Sequence, residues 1–207
     1  MTPIYHITHI RNLVSIIGQG GLCCDALTAE RALSPIGIAH SHIKERRARR
    51  RVLAGPGGTL ADYVPFYFAP RSPMLYTIDR GNVVGYTEGQ RPIVHLVASA
   101  ERIVQEHLSF AFTDGHADVS LSQFFDDLQA LDQVDWQIMQ ETFWNDTAED
   151  GDRKRRRQAE FLVHRFFPWT LVDEIGVMTR QMAHDVQQIL QTSAHRPQVT
   201  VYQRWYY

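Results

Sequence analysis

The sequence predicts an α+β fold built on a mixed sheet. Three observations predict it. Short apolar or alternating runs recur from one end of the chain to the other. Segments of helical periodicity lie between many of them, not only tight hairpin turns. The 207 residues suit a single domain and can bury a core without disulfides or metals. The only cysteines, Cys23 and Cys24, are adjacent, which disfavours a structural bridge and fits a reducing, cytoplasmic setting. No apolar run approaches the roughly 18 residues of a membrane span, and MTPIYHITHIRNL lacks an export pattern.

Each element has a local reason. Ile4 to Thr8 reads as a first strand. Ile10 to Gly18 reads as a helix, because Ile10, Leu13, Val14 and Ile17 share a face and Gly18, Gly20 and Gly21 end it. Ile36 to Leu53, rich in Ala and Arg, reads as a second helix closed by Gly55-Pro56-Gly57-Gly58. That loop lacks the spacing of a phosphate cradle. Val64 to Ala69 reads as a strand whose Pro65 suggests an edge or bulge. Ser72 to Asp79 reads as a short helix, and Ile93 to Ala98 and Phe110 to Thr113 as strands. Leu121 to Leu131 and Val134 to Trp144 read as helices of an acidic insertion at about 115–150, followed by a charged loop from Asp146 to Arg157. Glu160 to His164 and Glu174 to Met178 read as strands, Gln181 to Gln191 as a helix and Val199 to Trp205 as a closing strand.

The net charge of −2 conceals an asymmetry. Lys44, Arg46, Arg47, Arg49, Arg50 and Arg51 form one basic run, and Arg153, Lys154, Arg155, Arg156 and Arg157 a second. Between His116 and Asp152 there is neither Lys nor Arg. Arg forks onto phosphate and stacks on flat rings, so the runs suggest nucleic-acid contacts; solvated helix faces would have the same composition.

Three separated pieces carry chemistry. His6 and Thr8, two apart on a strand, face one side and can hydrogen-bond ribose hydroxyls. Tyr67-Phe68-Ala69-Pro70-Arg71-Ser72, with Tyr76 beyond, can form a flat slot for a pyridine ring. Gln158-Ala159-Glu160 puts a carboxylate at the mouth of an apolar strand, directly after five basic residues. Each has an ordinary counterpart: a structural histidine, core aromatics, an ion pair.

Together these pieces resemble the NAD-dependent ADP-ribosyltransferase superfamily, in the order His strand, aromatic–Ser strand, Glu strand. Within it the chain is similar to the DarT family of DNA ADP-ribosyltransferase toxins. The phrase Asp62-Tyr63-Val64-Pro65-Phe66-Tyr67-Phe68, then Ser72-Pro73-Met74-Leu75, is its most specific part. The resemblance implies a split mixed/antiparallel sheet flanked by helices, NAD+ as co-substrate, no metal, and transfer of ADP-ribose to a base, thymidine above all, in single-stranded DNA. It implies Glu160 and Arg51 as catalytic residues. It implies His6, the backbone of Ile7, Thr8, Asn12, Ser72 and Tyr76 for the cofactor; Ile7 departs from the usual Gly. Arg46, Arg47, Arg50, Arg153, Lys154, Arg155, Arg156 and Arg157 would contact DNA, and Asp146 to Gln158 would read the substrate. A macrodomain antitoxin of the DarG kind would be the partner.

Other readings remain open at this point. Gln158-x-Glu160 also resembles the Q-x-E pair of protein-modifying toxins, and a transferase or phosphotransferase acting on RNA shares the chemistry. A non-enzymatic nucleic-acid module would need only the basic runs. A metal-dependent nuclease would need His40 and His42 together, and a helix spacing of two points them apart.

Overall fold

A computed structural model describes the backbone of residues 1–207 and the side chains of all of them except Ser41. The elements run β1 (Pro3–His9), α1 (Leu13–Gly18), β2 (Gly21–Cys23), α2 (Asp25–Glu30), α3 (Ser41–Arg47), β3 (Tyr63–Tyr67), α4 (Pro73–Asp79), β4 (Ile93–Ser99) and α5 (Ala100–Gln105). They continue with β5 (Phe110–His116), β6 (Phe124–Phe125), α6 (Trp136–Gln140), α7 (Arg153–Arg157), β7 (Ala159–His164), β8 (Phe166–Pro168), β9 (Glu174–Val177), α8 (Arg180–Leu190) and β10 (Gln198–Val201).

Eight strands form one sheet in the order β10-β9-β4-β1-β3-β7-β5-β6, and β2 and β8 pair separately. All pairings in the large sheet are antiparallel except β9 with β10, so it is mixed as predicted. β4 is buried along its whole length, as expected of a central strand covered on both faces. Phe66, Phe112, Phe161 and Phe167 are fully buried among the aliphatic residues of the main core. In the small sheet, a Cβ on Gly21 would lie 2.1 Å from the Phe167 carbonyl oxygen, so only glycine lets β2 approach β8.

The sheet splits between β1 and β3, which share a single register pair, Tyr5 opposite Tyr67. Pro65 is therefore not on an edge strand: β3 is internal, paired with β7 along its whole length. A proline is tolerated there because β1 asks for no N–H at that point. Its carbonyl instead bonds the His6 ring.

The predicted helix over Ile36 to Leu53 shrinks to α3. The Asn12 side chain takes both backbone groups of Ile36, accepting from its N–H (2.8 Å) and donating to its carbonyl (3.0 Å), and Leu33 to Ala39 forms neither helix nor strand. After α3 the chain turns, and Arg51 bridges to Thr59. The acidic insertion also departs from two long helices: it holds β6, a 3-10 turn over Leu128–Gln133 and the five-residue α6. Its aspartates act as caps that start new turns, Asp127 accepting from Gln129 N–H and Asp135 from Ile138 N–H. The closing strand stops at Val201, where Tyr202 stacks on Trp205 at 3.9 Å.

Candidate active site

A cavity of about 330 Å³ lies at the split, against β1, β3, the start of β7, α3 and the irregular segment from Leu33 to Ala39. His6 lines it. A carbonyl can only accept, so the 2.8 Å contact with Pro65 puts the ring proton on Nδ1 and leaves Nε2 an acceptor. Burial lowers the His6 pKa, opposed only in part by that carbonyl, so the ring is neutral. Thr8, two residues on, also lines the cavity, its hydroxyl accepting from Asn12 Nδ2 at 3.1 Å.

Glu160 is the second residue of β7, opposite Tyr67, and is only 3% exposed. Its position depends on an irregularity in β5: the register with β7 shifts between Phe112 and His116. The Thr113 hydroxyl accepts the Glu160 N–H at 3.1 Å and donates to the Gly115 carbonyl at 2.6 Å. The displaced backbone then aims the Ala117 N–H at the Glu160 carboxylate, 3.2 Å away. A bulge next to a site commonly re-aims groups in this way. A Cβ at Gly115 would sit 2.2 Å from Arg155 Nη1, so a larger residue at the bend would displace the Arg155 side chain.

The guanidinium on Glu160 belongs to Arg47. Its Nη1 donates to both carboxylate oxygens, at 2.9 and 3.2 Å, and its Nη2 is buried with no partner among the described residues. Burial opposes the Arg47 charge, but Glu160 more than offsets it and the pKa is raised. The Tyr67 hydroxyl is held neutral by burial and by Glu160. His116 and Gln158 complete this side of the cavity.

Several sequence expectations land elsewhere. Arg51 is exposed and does not line the cavity, because α3 ends four residues earlier. Tyr76 lies on the opposite face of α4 from Met74 and Thr77, which do line it. Ser72 is buried as the N-cap of α4, accepting from Leu75 N–H at 3.1 Å, and does not line the cavity either. His6, Ile7, Thr8, Asn12 and Glu160 are brought together. The rings of His40 and His42 lie 5.0 Å apart instead of diverging, because His40 precedes the helix.

The second basic run is largely spent inside the chain. Arg155 pairs with Asp152 (2.8 Å) and Asp114 (3.1 Å). Arg156 pairs with Asp135 (3.0 Å) and Asp150. Arg153 donates to the Phe143 and Asn145 carbonyls, and Lys154 lies 3.7 Å from Asp146. Arg157 is buried and bonds the carbonyls of Ile138, Met139 and Arg71. The acidic and basic segments thus neutralise each other across the fold. In the first run, Arg46 pairs with Asp118 at 2.6 Å and Arg50 donates to the Ala117 and Val119 carbonyls.

Sequence reasoning named Arg47 as a DNA contact and did not name His116; both line the cavity. The signal for Arg47 was present: His40, Ile43, Lys44 and Arg47 recur at helical spacing, and all four line the cavity.

Residues 5–207 match the family model described as "ssDNA thymidine ADP-ribosyltransferase, DarT". A DNA ADP-ribosyl transferase of Thermus sp. (strain 2.9) is 46% identical over 208 residues, covering 100% of this chain and 96% of that protein. The solved structure of Thermus sp. 2.9 DarT in complex with ADP-ribosylated ssDNA superposes with a TM-score of 0.92 at 45% identity, covering 100% of this chain and 96% of the other. The same Thermus protein in complex with NAD+ gives 0.88 at 43% identity, covering 100% and 98%. A fusion of a DNA ADP-ribosyl transferase with a DNA ADP-ribosyl glycohydrolase in Thermosipho africanus is 23% identical over 189 residues, 90% of this chain and 45% of the fusion. The chain belongs to the DarT family of ssDNA thymidine ADP-ribosyltransferases.

Proposed function

We propose that the cavity at the sheet split is where this enzyme transfers ADP-ribose from NAD+ to a thymidine base of single-stranded DNA, releasing nicotinamide. The observation that carries this reading is the buried Glu160 carboxylate, held at the cavity by Arg47 and the Ala117 N–H. The remaining donor set fits a dinucleotide. His6 Nε2 and the Thr8 hydroxyl suit ribose hydroxyls, and the lining Lys44 suits phosphate.

NAD+ supplies ADP-ribose joined to a good leaving group. The chain's residues do the rest. Glu160 holds negative charge beside the sugar carbon where positive charge develops, so it acts more strongly in the transition state than in the ground state. The same carboxylate accepts the proton of the attacking base nitrogen. Arg47, always charged, steadies the base as that proton leaves. The attacking atom lies on the pairing edge, which a duplex hides, so the base must be unpaired or flipped out.

The biological role is that of a toxin restrained by a macrodomain antitoxin that removes ADP-ribose. The cytoplasm is the place of action, since NAD+ and DNA meet there; among the described residues no helix is long and apolar enough to cross a membrane. The whole chain acts as one transferase domain, with an insertion at about 115–150. Mass spectrometry of a thymidine-containing oligonucleotide after incubation with NAD+ tests the reading, with RNA and protein as parallel substrates. A single ADP-ribose adduct on DNA is expected. Modification of RNA or protein alone would replace the substrate assignment.

A further inference from the structure

A second cleft, of about 190 Å³, lies on the far side of α4 from the main cavity, lined by Arg71, Tyr76, Arg80, Phe143, Trp144 and Tyr207. Its walls are aromatic and its charge is positive. The Arg71 guanidinium sits over the Tyr207 ring at 4.3 Å, and Arg80 over Tyr76 at 4.9 Å. Trp144 meets Tyr76 edge-on at 5.8 Å and donates its ring N–H to the Tyr207 hydroxyl at 3.2 Å, so the aromatic group is held in place. Phe143, at the rim, is 81% exposed. Among the described residues Arg71 has no carboxylate partner, and Arg80 has only Asp79 at 3.8 Å. This sets it apart from Arg155 and Arg156, whose charge is neutralised within the fold.

We propose that this cleft holds a nucleotide flanking the modified one in the single-stranded DNA substrate. Its base stacks on Phe143 and its phosphate lies against Arg80 and Arg71. The inference rests on the reading of the main cavity as the site of DNA modification. Placement supports it: Pro73 and Thr77 face the main cavity while Tyr76 and Arg80 face the cleft, so the two are separated by one helix, a width of roughly 10 Å. A strand of one or two nucleotides spans that distance. An exposed aromatic beside guanidinium groups that lack a close carboxylate is the combination that binds single strands without demanding a sequence, because every base has a flat face. An acidic peptide would use the arginines and leave the exposed ring without a role.

The test is fluorescence anisotropy of labelled oligothymidylate, about three and about twelve nucleotides long, on wild type, Phe143→Ala and Arg80→Gln. Both substituted residues are surface residues outside the main cavity. Each variant is expected to bind the longer strand about tenfold more weakly and the shorter one as wild type does. Arg80→Gln should also reduce the salt dependence of binding by about one phosphate contact, whereas Phe143→Ala should not. Wild-type affinity of both variants for the longer strand overturns the proposal, and so does an equal loss for both lengths. Adduct formation by the wild-type enzyme, measured separately, reports on the main cavity: absence of adduct with length-dependent binding intact would count against the catalytic reading and not against the cleft.

Discussion

Arg47 and Glu160 form a buried ion pair whose members have different tasks, and substitution separates them. Glu160→Gln keeps the shape and removes the charge, so transfer should fall by at least ~10²–10³-fold, and the protein should lose stability because the Arg47 guanidinium loses its anion. Arg47→Ala should slow transfer by a similar factor. It should also destabilise the protein by about 3–5 kcal/mol, because a buried carboxylate loses its cation. Arg51→Ala, at an exposed position, should leave both near wild type. Adduct yield and urea denaturation check all three; loss of activity in Arg51→Ala with normal activity in Arg47→Ala would reverse the assignment. His6, Thr8 and Glu160 were legible in the sequence because strand alternation places residues two apart on one face. Arg47 was not, because six cations lie within eight residues, and which of them turns inward depends on where a seven-residue helix starts. Tyr76 was misplaced for the same reason: one residue along a helix is a rotation of about 100°.

Among the elements, the segment from Leu33 to Ala39 forms a wall of the cavity without regular structure, and Asn12 pins it through the backbone of Ile36. Asn12 therefore shapes the cavity as well as lining it. Asn12→Ala removes three hydrogen bonds and leaves an Ile36 amide to find water, at a cost of about 1–3 kcal/mol. It should weaken NAD+ binding in calorimetric titration more than it lowers the rate at saturating NAD+; an unchanged NAD+ affinity would show that the segment holds its shape alone. Asn12→Asp keeps the acceptor for the Ile36 N–H and should fall in between. Long strands were readable from alternation, whereas the three-residue β2 and β8 carry too few residues for any period to register. The acidic insertion misled because its apolar spacing is helical while its aspartates prefer the cap position to the helix interior.

For the molecule as a whole, the order of pieces along the chain was legible and their juxtaposition was not. The acidic and basic segments read as a dipole in sequence and close on each other in space, since pairing them costs less than leaving either charge partly buried and alone. His95 ties β4 to distant parts of the chain, through Pro70 and the Tyr206 hydroxyl. Burial pushes its pKa down to about 4, opposed only partly by the Pro70 carbonyl. The unfolded chain binds a proton near the ordinary 6.5 while the folded chain resists it. Stability is therefore full above about pH 6.5 and falls as pH drops toward 4, by about 1.4 kcal/mol per unit. Urea denaturation between pH 7.5 and 4.5 should show this slope in the wild type and a flatter one in His95→Asn; parallel curves would place the acid sensitivity elsewhere.

The central claim is that an early imidazole, a guanidinium from α3 and a late carboxylate surround one dinucleotide. A crystal structure of the protein with NAD+ tests it most directly. The account predicts the nicotinamide-bearing ribose within hydrogen-bond distance of His6 or Thr8, with Glu160 on the same sugar and Arg47 beside them. NAD+ bound in a different cleft, or those side chains turned toward separate regions, would contradict it.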